Sequence, residues 1–209
     1  MSGARSLRGT LLAAGLLAGC SLLPHAPLPE VYEGEWPEAR DAATRFTNLY
    51  DGFEHRANLW TIRLTPEVRE LRARRLAKWL SWSAAELEAK LAAERAEGAK
   101  WDDFIVLLYT ANPKWNDLDA PSSVWRIEFD MGGDEVVMAQ AQSLERNATF
   151  EALYPMTGPF DTAYRLRFPH AEGTPGLLPG VLHLASALGE LRAAYTPGAK
   201  PTFAPRQAN

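Results

Sequence analysis

Chemistry in a chain like this would start from thiols, imidazoles and clustered carboxylates. Cys20 is the only cysteine. The histidines His25, His55, His170 and His183 are scattered, and no H-x₃-H or H-E-x-x-H spacing links them, so the sequence implies no zinc site. The densest oxygen cluster is Asn116, Asp117 and Asp119, in an expected loop between two strands, with Asp130 and Asp134 flanking a later turn. Calcium takes roughly six to eight oxygens, usually from several loops, and C2-like sandwiches hold it in such places. The same residue types also sit in loops simply because they make turns.

Paired carboxylates could serve glycoside hydrolysis, and Asp102, Asp103, Glu128 and Asp130 are available. Asp102 and Asp103 begin an expected strand, however, and so point to opposite faces, while Glu128 falls on an outward position. No G-x-S-x-G elbow and no Gly-rich loop from strand to helix is present. Binding is the stronger expectation, with no cofactor. Trp36, Trp82, Trp101 and Trp115 fall at element ends or in loops, where an exposed ring could stack on a sugar or fill a partner's pocket. Arg69, Arg72 and Lys78 fall on the expected outward face of a helix, where they could meet an acidic partner or simply be solvated.

The surroundings of Cys20 are specific. Arg5 and Arg8 precede an apolar run at residues 11–17, and Leu17-Ala18-Gly19-Cys20 closes it. The run is shorter than the about 20 residues that cross a bilayer, and the A-x-A-like site of a plain secretory signal is missing. Residues 1–21 resemble the signal peptide and lipobox of bacterial lipoproteins. The resemblance implies a diacylglyceryl group on the Cys20 sulfur, cleavage before Cys20 and acylation of the new amino group. It makes the membrane the first partner, through lipid, and other envelope proteins the next. Ser21 stands where enterobacterial lipoproteins retained in the inner membrane carry Asp, so the same analogy points to the outer membrane.

Composition narrows the rest. Removing Arg5 and Arg8 from 22 Lys and Arg residues leaves 20 against 26 Asp and Glu, a formal charge of −6 that argues against nucleic acid. With Cys20 lipidated no disulfide is possible, so the fold stands on packing alone. The length suits one domain. The expected layout is a signal peptide at 1–19, a proline-rich tether at 20–40, a domain at 41–196 and a flexible tail at 197–209.

The elements follow from period. Residues 44–50 alternate as a strand, Asp51-Gly52 makes a turn, and residues 59–64 resume the alternation, with Trp60, Ile62 and Leu64 on one side and Thr61 and Arg63 on the other. Then the period changes. Thr65-Pro66-Glu67 starts a helix whose apolar stripe is Val68, Leu71, Leu76, Trp79 and Leu80. Ser83-Ala84-Ala85-Glu86 is a capping box for a second helix that Gly98 closes. The pair forms a helical hairpin over about 66–97.

Strands resume at residue 101, and residues 104–109, apolar throughout, predict a strand covered on both faces. Trp125, Ile127 and Phe129 point inward, Arg126 and Glu128 outward. Gly132-Gly133 turns into a strand at 135–142 that sets Val136 opposite Phe129 and Met138 opposite Ile127. Tyr164, Leu166 and Phe168 mark another strand, and a final hairpin turns at Gly189. Seven or eight short strands predict a mainly β fold, an antiparallel β-sandwich of Ig-like or C2-like kind with an inserted α-helical hairpin.

Residues 44–195 also resemble a group of uncharacterised envelope lipoproteins, through Trp125-Arg126-Ile127-Glu128-Phe129 before a Gly turn and Tyr164-Arg165-Leu166-Arg167-Phe168-Pro169 later. That resemblance carries no activity. The reading is a lipid-anchored envelope protein that binds or assembles at a membrane surface. The alternative is a carbohydrate- or calcium-binding envelope module, with a hydrolase behind both.

Overall fold

A computed structural model describes residues 34–131, 135–137 (as backbone), 140–170 and 178–196. The described chain opens with helix α1, Glu35–Ala42. The tether expected to reach residue 40 therefore ends earlier. Pro37 sits in the first helical turn, where the first N–H groups lack intrahelical acceptors in any case, so the proline costs no hydrogen bond. Trp36 is buried and meets the Tyr154 ring edge-on at 6.1 Å.

Strands β1 (Thr44–Asp51) and β2 (Glu54–Arg63) form the first hairpin, in register from Thr44↔Ile62 to Asp51↔Glu54. Gly52 provides the left-handed φ of 59° that the turn requires. The helical hairpin follows, inserted between β2 and the next strand as expected. Helix α2 is Pro66–Leu80, capped by the Thr65 side chain accepting from Val68 N at 3.2 Å. Helix α3 is Ala84–Gly98, and both halves of the Ser83–Glu86 capping box are present.

Then come β3 (Trp101–Thr110), β4 (Arg126–Asp130), β5 (Glu135–Val137), β6 (Gln140–Ser143), a short helix α4 (Ala148–Leu153), β7 (Thr162–Pro169), β8 (Gly180–Ser186) and β9 (Gly189–Tyr195). Among the described residues there are thus nine strands. They form two antiparallel sheets, β1-β2-β3-β7-β6 and β5-β4-β8-β9. Nothing in the periodicity had marked α4, whose cap is the Asn147 side chain accepting from Phe150 N.

The strand expected at 135–142 is instead two. Val136 does pair with Phe129, but β5 belongs to the sheet of β4, whereas β6 pairs with β7 in the other sheet. The chain changes sheets between them, as corner strands do where two sheets adjoin. Gly132-Gly133 and Met138 lie outside the described residues.

One buried cluster draws on both sheets: Leu59, Phe104, Val106, Tyr164, Leu166 and Phe168 from the first, Ile127, Phe129, Leu182, Leu184 and Leu191 from the second, and Trp125 just before β4. Phe104 is its hub, with ring centroids 5.2 Å from Phe129, 5.8 Å from Phe168 and 5.3 Å from Tyr195. A second cluster lies on the opposite face of the first sheet. There Ile62, Leu64 and Ile105 meet Trp36 of α1, Val68 of α2 and Leu153 of α4. Strand β3 is accordingly covered on both faces, as its composition predicts.

Glu128 is buried rather than solvated, because β4 runs between β5 and β8 and neighbours crowd it; Arg126, beside it, pairs with it at 2.8 Å. The stripe of α2 is also shorter than drawn. Val68, Ala73 and Ala77 are buried and Leu71 and Leu76 partly so, but Trp79 and Leu80 are exposed.

Candidate functional site

The hairpin is fastened to the sheet by charge. Strand alternation sends Asp103 to the helix-covered face of β3, where its side chain is 0% exposed. Arg69 of α2 donates to it through Nη2 at 2.6 Å, and Arg167 of β7 through Nε at 2.9 Å. Arg165, two residues back on the same face of β7, donates to it as well. Glu94 of α3 accepts from Arg69 at 3.0 Å and from Arg72 at 2.7 Å, and Glu97 accepts from Arg167. Four guanidinium groups thus interlock with three carboxylates across two helices and two strands.

Burial alone would push the Asp103 carboxyl up, but the hydrogen bonds from Arg167, Arg165 and Arg69 overcome it and hold the group below the usual carboxylate range. Glu94 behaves alike: burial opposes ionisation, and the nearby charge of Arg72 and hydrogen bonds from Arg69 and Arg72 outweigh it. A carboxylate whose lone pairs are committed to fixed guanidinium donors is a poor proton acceptor. The network is built to hold position.

Asp102 points to the other face, as strand alternation predicts. It accepts from Arg63 Nε at 3.0 Å, and burial pushes its carboxyl up against that pairing. The Arg63 guanidinium lies 4.9 Å above the Phe129 ring and 5.7 Å from that of Tyr195, so the interior charge is also covered by aromatic faces.

At the open end of the hairpin, between the start of α2 and the end of α3, is a cleft of about 610 Å³. Pro66, Leu91, Gly98 and Ala99 give it apolar walls; Glu67, Arg69, Glu70, Glu94, Arg95 and His170 are its polar groups. The His170 Nε2 atom is buried and has no hydrogen-bond partner. That volume lies within the range of small-molecule sites, roughly 300–1,000 Å³.

The residues singled out from sequence fall as follows. Arg69 is 2% exposed and Arg72 half-buried, so both face inward, and of the three only Lys78 is exposed. The reason is helical spacing: Arg69, Arg72 and Ala73 share a face with Val68. Trp101 is half-buried under the Arg167 guanidinium, 5.0 Å from its centroid. Trp115 is half-buried, and its carbonyl accepts from Trp125 Nε1 at 2.7 Å. Asn116 accepts from Thr110 at 2.9 Å, and Asp117 from Ser123 Oγ at 2.9 Å and Val124 N at 3.1 Å, so both tie down the loop. Asp119 is exposed nearby. Among the described residues no three His, Cys, Asp or Glu side chains gather as a cation site would require. Cys20 lies outside the described residues.

Glu94, Glu97, Arg165 and Arg167 were not singled out as a site. The available signal was the alternation Arg165–Arg167 on a strand beside one that begins Asp102-Asp103, which brings opposite charges together if the two strands pair. Comparison with protein-family models, with curated proteins and with solved structures found no match.

Proposed function

We propose that the chain is a lipid-anchored cell-envelope protein whose domain is a β-sandwich that binds rather than catalyses. The lipobox at Cys20 supports its location. The cleft at the open end of the hairpin carries the binding reading. The hairpin is an addition to two sheets that already share a core, yet it is held in register by a buried ionic network, and what that register maintains is the spacing of the cleft walls. The ligand is a small amphipathic molecule, with an apolar body against Leu91 and Pro66 and a hydrogen-bonding group opposite the buried His170 Nε2, in a cleft that Glu67, Glu70 and Arg95 also line.

A thermal-shift screen of small amphipathic envelope compounds tests this on the wild-type protein, on Ala99→Trp, which fills the cleft from an exposed position, and on His170→Ala. A compound that raises Tm in the wild type and in neither variant is the expected result. Equal stabilisation of all three would place binding elsewhere.

A further inference from the structure

We propose that the closed end of the helical hairpin is a second membrane contact, seated in the headgroups of an anionic bilayer. Burial along α2 stops at Ala77; beyond it Trp79 is 37% and Leu80 52% exposed. Ser81 turns the chain with φ 53°, and Trp82 follows at once. Arg75 lies over the Trp79 ring at 4.6 Å, and Lys90 over Trp82 at 5.9 Å. Residues 75–90 carry three basic groups, Arg75, Lys78 and Lys90, against two acidic ones, Glu86 and Glu88, on a chain whose overall charge is −4, and Arg74 just before them is paired with Glu70 at 2.7 Å. An apolar knuckle of two tryptophans and a leucine ringed by cations is what an anionic interface accommodates. Indole rings settle at headgroup depth, and long cationic side chains lie along apolar surface while keeping their charge at the phosphates.

The occupant is the bilayer that holds the anchor, and this inference rests on the lipid-anchor reading. The chain enters the domain on the same side as the hairpin: Trp36 of α1 meets Tyr154 at 6.1 Å, and the Tyr154 hydroxyl is 3.5 Å from Arg72 Nη1. Arg72 precedes Leu80 by eight residues, about 12 Å of helix. The residues from Cys20 to Gly34 reach at most about 50 Å when fully extended, so anchor and knuckle can engage one membrane together. A lipid anchor gains firmness from such a second signal. The cleft then stands off the surface by the length of the hairpin, roughly 20 Å.

The test uses the mature lipidated protein in vesicles of phosphatidylethanolamine and phosphatidylglycerol. Lipid occupies the Cys20 sulfur, so Ala85→Cys at the knuckle supplies a single free thiol for a fluorophore. Arg126→Cys, in the other sheet with a side chain 68% exposed, is the control. Bromolipid quenching several-fold greater at Ala85 than at Arg126 is expected. The difference should be lost in a Trp79→Ser, Leu80→Ser variant, and in Lys78→Glu, Lys90→Glu on anionic vesicles, with the far-ultraviolet circular dichroism unchanged in both. Equal quenching at the two positions, with Cys20 lipidated by intact mass, would overturn the knuckle contact alone. An unmodified Cys20 thiol, seen as a second label, would remove the anchor and the contact with it.

Discussion

Arg69 Nη2 and Asp103 Oδ2 lie 2.6 Å apart, on side chains 2% and 0% exposed, and through them the helical hairpin grips the sheet. A pair so buried contributes less net stability than its distance suggests, because both ions lost their water. Breaking it is another matter. Asp103→Ala leaves Arg69, Arg165 and Arg167 facing one another without their common carboxylate. The expected cost is about 3–5 kcal/mol, the usual range for stranding buried charge. Urea denaturation reads it directly, and a loss under about 1 kcal/mol would mean that water reaches the site.

The same network sets a pH dependence. Asp103, Glu94 and Glu97 all have carboxyl groups below the usual range in the folded chain. A depressed carboxyl contributes stability that is present above its unfolded value, about 4, and is lost as pH falls through the lower folded value. Asp102, raised by burial, works in the opposite sense and favours the folded chain at low pH. With Glu86 and Glu190 also lowered and Asp161 also raised, five lowered groups against two raised ones make Tm fall on acidification below about pH 4. Asp103→Asn should flatten that fall, since its site no longer titrates; an unchanged profile would assign the acid sensitivity to other groups.

In the shared core, Trp125 is 4% exposed and donates to the Trp115 carbonyl at 2.7 Å. Trp125→Ala removes both the ring and the donor, and should cost about 3–5 kcal/mol. Val124→Ala, on the other side of Trp125 and 43% exposed, should change stability by no more than about 0.5 kcal/mol. Comparable losses at the two positions would contradict the register of β4.

Period carried the reading wherever one force decided the outcome. Caps at Thr65 and Ser83 placed the two helices, and alternation placed Trp125, Ile127, Phe129, Tyr164 and Leu166 in the core. It failed where two forces competed. The preference of charge for water predicts Arg69 and Arg72 outward, yet their helical spacing puts them beside Val68, and Asp103 and Glu94 receive them there. Those carboxylates come from elements far along the chain, so their proximity is tertiary information. Proline content suggested a tether through residue 40, but Pro37 in a first helical turn obeys helix rules. The switch of sheets between β5 and β6 left no local mark at all.

Cys20 is the residue on which the proposed lipid anchor stands. Intact-mass measurement of the protein extracted from membranes should give a chain that begins at Cys20 and carries the added mass of a diacylglyceryl group and an amide-linked acyl chain. The same measurement on Cys20→Ser should give a chain without lipid. A wild-type chain that retains residues 1–19, or carries a free Cys20 thiol, would contradict the account.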